Sequence, residues 1–314
     1  MNAPAGNLHH RMKIQSRLRA ALEKRGYLEV ITPSLQPCPG SDPEIEPFTI
    51  TYSPLMEPEP PARILRLHTS PEFAMKRLLC RGFQAIYQIC QVFRQGEQGP
   101  WHSPEFTMAE WYRPGWTYQE LMAEVEEITA EVAGPAVTWG GKKIILEPPL
   151  PRISVSRACH EAGVDMESWA GLAREEWLFR FSEAFAVRLE PWLKKQGALF
   201  LGDFPAPAAI LSRLKPHDPL TAERFELIIA GVEIANGCTE LTDPQEHRRR
   251  YAEDCDIRRQ RGKPVIPPPE PFFRDLETLG LPPCAGVALG VDRLAMLALG
   301  AERIEEVQAF PFAR

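Results

Sequence analysis

Gly286-Val287-Ala288-Leu289-Gly290-Val291-Asp292-Arg293-Leu294 is the stretch from which the fold is read. Ala285–Leu289 reads as a strand, Gly290 as a turn and Val291–Leu299 as a closing helix. Arg293 then falls in the first helical turn, where the macrodipole disfavours a cation. Two arrangements offset that cost. An anion such as a phosphate sits at the helix N-terminus, or Arg293 pairs with a nearby carboxylate, Asp292 or Glu233.

Upstream lies Glu226-Leu-Ile-Ile-Ala-Gly231-Val-Glu233-Ile234-Ala-Asn236. Gly231 marks a tight hairpin. With Ala230-Gly231 as its loop, Ile228 faces Glu233 and Glu226 lies diagonal to Glu233 on the same face, roughly 7 Å away. Two carboxylates so placed either flank a divalent cation, with Mg²⁺ favoured by oxygen ligands, or lie on the wet face of an edge hairpin.

Further upstream, Phe93-Arg94 leads into a polar loop and then Pro104-Glu105-Phe106-Thr107-Met108-Ala109-Glu110-Trp111-Tyr112. Period-two alternation puts Phe106, Met108, Glu110 and Tyr112 on one strand face. An aromatic, a carboxylate and a phenol together suit a pocket for a cationic ligand. The alternative is a half-buried strand with Glu110 in water.

The remaining elements alternate. Leu8–Arg25 is an amphipathic helix closed by Gly26, and Tyr27–Ile31 a strand ended by Thr32-Pro33. Ile64–His68 and Ile86–Arg94 are expected as strands, and Pro71–Leu79, Thr117–Val132 and Glu246–Arg261 as helices. Residues 152–222 are expected to be a mostly helical insertion between two strand-rich regions. The fold class is α+β: an antiparallel sheet flanked by helices, a single domain over 1–314. The prolines, 32 in all, cluster at Pro54–Pro61 and Pro264–Pro271, which are expected as loops.

Composition narrows the function. The 36 Lys+Arg against 42 Asp+Glu give a net charge of −6, which argues against broad binding of a nucleic-acid backbone. No apolar run is long enough to span a membrane, and His9, His10, Arg11 and Lys13 interrupt any signal-peptide core. The seven cysteines are scattered without a C-x-x-C pair, as expected of reduced thiols in the cytoplasm.

Taken in order, the three stretches resemble the signature motifs of class II aminoacyl-tRNA synthetases. Gly26-Tyr27 through Thr32-Pro33 is similar to motif 1, Phe93-Arg94 through Tyr112 to motif 2, and Gly286 through Arg293 to motif 3. Within the class, Thr69-Ser70-Pro71-Glu72 with Lys76-Arg77-Leu78, His102-x-Pro-Glu-Phe-Thr-Met108 and Asn236-Gly-x-x-Glu240-Leu resemble the lysyl subgroup. The resemblance covers nearly the whole chain. Lysyl-tRNA synthetases place an OB-fold anticodon-binding domain before motif 1, whereas here motif 1 follows one helix. Together with Ala288, where lysyl enzymes usually have Gly, and the run Glu110-Trp-Tyr-Arg-Pro114, this resembles the lysyl-tRNA synthetase paralogues that modify elongation factor P.

The resemblance implies activation of (R)-β-lysine or lysine by ATP with Mg²⁺, and transfer from the adenylate to a lysine of elongation factor P. It also implies a homodimer built on motif 1, with tRNA not expected as a partner. By the same resemblance Arg94 binds the α-phosphate and substrate carboxylate, and His102 the outer phosphates. Phe106 stacks on adenine, and Arg293 covers its other face and meets the γ-phosphate. Glu226 and Glu233 hold Mg²⁺. Gln95, Gly96, Ser103, Ile234 and Gly290 complete the ATP site. Ser70, Pro71 and Glu72 receive the amino group near the reacting end, with Asn236 and Ala288 shaping that end. Glu110, Tyr112 and Glu240 bind the distal ammonium.

Three departures stand out. Gly96 occupies the place of a Glu that contacts adenine, Ser103 that of an Asn, and Cys238 that of an aromatic. Two other readings compete: a truncated synthetase that charges tRNA, and a synthetase-like binding module without catalysis. Intact Arg94, Glu233, Glu240 and Arg293 weigh against the second of these, and the acidic total against the first.

Overall fold

The computed structural model describes residues 3–40, 42–53 and 63–312, so the Pro54–Pro61 cluster lies outside the described residues. The chain opens with α1 (Ala5–Lys24), β1 (Leu28–Glu29), β2 (Leu35–Gln36), β3 (Thr49–Tyr52), β4 (Arg63–Leu67) and α2 (Glu72–Cys80). Next come β5 (Ile86–Phe93), β6 (Glu105–Pro114), α3 (Tyr118–Ala133), β7 (Ala136–Trp139), β8 (Lys142–Ile145) and β9 (Arg152–Ser154). The insertion carries α4 (Val155–Glu161), α5 (Arg174–Ala184) and α6 (Glu190–Leu193), and leads to β10 (Ala198–Pro205) and β11 (Leu214–Lys215). The chain continues with β12 (Asp218–Ile229), β13 (Val232–Thr239), α7 (Pro244–Gln260), α8 (Glu270–Thr278), β14 (Cys284–Gly290) and α9 (Val291–Leu299).

A nine-stranded sheet organises the molecule in the order β1-β5-β6-β14-β13-β12-β10-β9, with β11 paired to β12. Its interior pairings are antiparallel, and only the edge pairs β1–β5 and β9–β10 are parallel. One face is apolar. Trp111 of β6, Phe225 of β12 and Leu289 of β14 join Leu18 and Leu22 of α1, Val125 of α3 and Leu294 of α9 in one buried cluster. Each such side chain contributes roughly 1.5–3 kcal/mol by leaving water. The α3 helix starts at a capping box formed by Thr117 and Glu120, which satisfies two otherwise orphaned N–H groups.

The hairpin forms where the sequence places it. Ala230 (φ 51°) and Gly231 (φ 81°) both take the left-handed conformation that a two-residue hairpin turn of this kind requires, and Ile228 pairs with Glu233. A β-bulge then shifts the register, so Glu226 faces Asn236 rather than Ala235. Strict alternation would place Glu233 and Asn236 on opposite faces. The bulge turns both toward the same one.

The segment 152–222 departs from the expected helical insertion. The α-helices end at Leu193, Ala198–Pro205 is a strand within the main sheet, and only a single 3-10 turn, Ala206–Ala208, follows it. Leu199, Phe200 and Leu201 are buried on both faces, Phe200 in the main core and its neighbours in a second core under α4 and α5. Such an uninterrupted apolar run carries no period-two signal and reads equally as helix or strand. The strand expected at Tyr27–Ile31 shrinks to Leu28–Glu29, with Ile31 93% exposed. Proline-rich 264–269 carries no regular element, but Pro271 lies in the first turn of α8, where its missing N–H costs nothing. No helix among the described residues is long and apolar enough to cross a membrane.

Candidate active site

The face of the sheet opposite the core lines a cavity of about 400 Å³, the size of a small-ligand site. Pairing across the sheet places its side chains in rows. Glu226, Asn236, Ala288 and Glu110 are aligned across β12, β13, β14 and β6, and the next row is Arg224, Cys238, Gly286 and Tyr112. Phe106, Met108, Glu110 and Tyr112 all line the cavity, as alternation requires. Glu110 is only 2% exposed, so it does not point into water.

One end is cationic and aromatic. Arg94 lies over the Phe106 ring with its guanidinium carbon 5.2 Å from the centroid. It donates from Nε to the Thr69 carbonyl at 3.3 Å and reaches Glu97 at 3.5 Å. Arg293 donates to the carbonyls of Trp101 at 3.1 Å and Glu233 at 2.9 Å, while the Glu233 carboxylate stays 3.6 Å away. Asp292 is not its partner. That carboxylate accepts from Arg11 of α1 and from the Thr107 amide, both at 2.8 Å. Arg94 and Arg293 thus keep donors for an anion near the N-terminus of α9. His102 lines the same end, and burial with the nearby Arg293 charge pushes its pKa down, which leaves it neutral at pH 7.

Glu226 and Glu233 flank this end. Asn236 donates to both, at 3.2 and 3.3 Å, and Arg224 holds Glu226 at 2.7 Å. Burial and the Glu233 charge push Glu226 up to about 7. No cluster of three or more metal-ligating side chains occurs among the described residues. Two carboxylates fit a Mg²⁺ whose other ligands are phosphate oxygens and water, which is how this ion usually binds.

The opposite end is anionic. Ser70 donates to Glu110 at 2.6 Å and Tyr112 donates to its other oxygen at 2.5 Å. Lys76 Nζ lies 2.5 Å from both Glu72 and Glu240. Burial pushes Glu110 and Glu240 up to about 7. Gly286 makes this packing possible: a Cβ there would sit 2.2 Å from the Tyr112 ring and 2.5 Å from a Glu240 oxygen. Cys238 lines the cavity as a neutral thiol, since burial and Glu240 raise its pKa well above the ordinary value.

Of the residues expected in the site, Ser70, Glu72, Arg94, His102, Ser103, Phe106, Glu110, Tyr112, Glu226, Glu233, Ile234, Asn236, Glu240, Ala288, Gly290 and Arg293 all line one cavity. Pro71, Gln95 and Gly96 do not. Pro71 caps α2, Gln95 bonds through its amide to the Glu46 carbonyl, and Gly96 (φ 84°) forms an exposed turn. Glu97, one residue on, lines the cavity instead. The two ammonium-binding groups distinguished in the sequence form one connected cluster. Sequence reasoning missed Lys76 and Arg224. Lys76 follows Glu72 by four residues on a helix and so reads as a solvent-facing ion pair.

Residues 2–314 match the family described as tRNA synthetases class II (D, K and N). Curated relatives cover nearly the full length. One from Histophilus somni is 39% identical over 98% of this chain and 96% of its own. One from Edwardsiella ictaluri is 39% identical over 100% and 97%. One from Yersinia pestis is 37% identical over 99% and 96%. Each of the three is named elongation factor P--(R)-beta-lysine ligase. The motifs, the antiparallel sheet and the cavity on its open face accord with these matches, and the chain belongs to the class II tRNA synthetase family, among relatives that are elongation factor P–(R)-β-lysine ligases.

Proposed function

We propose that the chain is an ATP-dependent ligase that activates (R)-β-lysine, or lysine, as an acyl-adenylate and transfers it to a lysine of elongation factor P. The observation that carries this reading is the polarity of one cavity: the Arg94 and Arg293 guanidiniums beside an aromatic ring at one end, and the buried carboxylates of Glu110 and Glu240 with half-buried Glu72 at the other. An acid with two ammonium groups spans such a cavity when its carboxylate lies at the cationic end.

The amino-acid carboxylate attacks the α-phosphorus of ATP in line, and pyrophosphate leaves. Arg94 neutralises charge on the reacting phosphate and orients the attacking carboxylate. Arg293 and the start of α9 hold the outer phosphates, with His102 as a neutral hydrogen-bonding group. Phe106 stacks on adenine. Glu226 and Glu233 would hold Mg²⁺, which would supply positive charge against the phosphates. Asn236 orients the reacting end, and Ser70, Glu72, Glu110, Tyr112 and Glu240 hold the ammonium groups. In the second step the acceptor amine attacks the acyl carbon and loses a proton, the bond to the phosphate oxygen breaks, and AMP leaves. Positioning and charge neutralisation suffice, and no protein nucleophile is required. The neutral Cys238 thiol is consistent with that. ATP–pyrophosphate exchange tests the reading: exchange should depend on lysine or β-lysine, and an absence of exchange with either overturns it.

Ala288 offers a test of substrate choice. It is paired with Asn236 on one side and Glu110 on the other, in the middle of the cavity floor. β-Lysine carries its amino group one carbon farther from the carboxylate than α-lysine does, and the distal ammonium is common to both. Ala288→Gly is expected to raise kcat/KM for α-lysine relative to β-lysine about tenfold to a hundredfold, the value of one methyl in discrimination. ATP binding should not change. An unchanged ratio with both activities falling would mean that the methyl only packs the strand.

A homodimer is expected from the motif 1 region. Leu28, Ile31, Ile50, Tyr52 and Ile64, from β1, the segment after it, β3 and β4, are exposed apolar residues, and a two-fold dimer is the commonest closed assembly. Sedimentation at micromolar concentration should give the dimer mass, and a monomer there would refute the assembly.

A further inference from the structure

Lys76 is fully buried, yet its ammonium faces the ligand-binding carboxylates rather than solvent. It contacts Glu72, assigned above to the amino group near the reacting end, and Glu240, assigned to the distal ammonium, each at 2.5 Å. With Glu110 the cluster holds three carboxylates and one resident cation, so two negative charges remain when all are ionised. A lysine-type substrate brings two ammonium groups. We propose that Lys76 is a positioning residue: a built-in countercharge that ties the carboxylates of the two ammonium subsites together and sets the pocket's charge to match a diammonium acid. The inference rests on the proposed function.

The surroundings define how this is read out. Groups facing Lys76 are Glu72 and Cys80 on its own helix, Cys238 on β13 and Glu240 just past it, Glu110 on β6 with Tyr112 bonded to it, Cys284 on β14 and His247 on α7. Burial and the Lys76 charge hold His247 down to about 3, and its Nε2 lies 2.8 Å from the Leu241 carbonyl. The cysteines and Tyr112 are pushed upward. Of these groups, Glu110 and Glu240 are the ones brought near neutrality. Glu110 and Glu240 are raised to about 7 by burial, and Lys76 opposes that rise in both. Binding an ammonium needs them ionised, so kcat/KM for the amino acid should fall as pH drops through about 7. Without the Lys76 charge the carboxylates hold their protons more tightly, and this acid limb moves to higher pH.

The test is pyrophosphate exchange as a function of pH in wild type, Lys76→Met and Lys76→Arg, with lysine and β-lysine. In Lys76→Met the KM for the amino acid should rise and the acid limb should move up by about one pH unit, about tenfold at fixed pH, with the KM for ATP unchanged. Lys76→Arg keeps the charge and should keep the limb at its wild-type position, whatever it does to the maximal rate. An unmoved limb in Lys76→Met, or a fall in kcat with both KM values altered alike, overturns the inference in favour of a packing role. Should Lys76→Met fail to fold, a displaced limb in Lys76→Arg overturns it and an unmoved one supports it. Failure of the proposed function would show differently, as wild-type exchange independent of either amino acid.

Discussion

Arg94→Ala and Arg293→Ala are each expected to abolish adenylate formation, with losses on the order of 10²–10³ in rate or more. Charge builds on the phosphates as the carboxylate attacks and pyrophosphate departs. Fixed donors aimed at that charge, in a site with little water, need no reorganisation when it appears. Both guanidiniums line the cavity, and each has one long ion pair, 3.5 Å for Arg94 to Glu97 and 3.6 Å for Arg293 to Glu233, which leaves further N–H donors for the phosphates. Alanine also removes the Arg94 contact with Phe106 and the Arg293 hydrogen bonds to Trp101 and Glu233, so nucleotide placement should suffer with the chemistry. Pyrophosphate exchange measures the effect. A near-normal rate in either variant would contradict the mechanism.

Glu240→Gln should weaken lysine-type substrates far more than ATP. Glu240 is 3% exposed and pairs with Lys76 at the end of the cavity remote from the phosphate-binding residues. Glutamine keeps the shape beside Tyr112 and Gly286 but carries no charge for an ammonium. Breaking a buried pair by removing one partner costs roughly 3–5 kcal/mol, so the KM for the amino acid should rise by on the order of a hundredfold or more. Separate KM measurements for ATP and the amino acid decide it. If ATP affinity fell and amino-acid affinity did not, the polar end of the pocket has been misassigned.

Much of the site was legible in the sequence because its elements obey local rules. Val291–Leu299 forms the expected helix, Gly290 precedes it, and Arg293 lies in its first turn. Alternation along β6 correctly groups Phe106, Met108, Glu110 and Tyr112. What escaped depends on contacts between distant segments. The bulge that turns Glu233 and Asn236 to one face has no local signal, and neither has the burial of Lys76. Gly286 reads as a strand-weakening residue until the Tyr112 ring and Glu240 are seen to occupy the space of its missing side chain. Leu199-Phe200-Leu201 looked helical because both its faces are covered. At the Gly96 departure the residue itself turns at the surface, and Glu97, the next one, lines the cavity.

The proposed function itself turns on one measurement: the mass of elongation factor P after incubation with the protein, ATP, Mg²⁺ and (R)-β-lysine. The account predicts that the factor gains one β-lysyl group on a lysine, with AMP formed in step, and that Arg94→Ala supports neither. An unmodified factor, in a preparation that carries out amino-acid-dependent pyrophosphate exchange, would contradict it and point to a different acceptor.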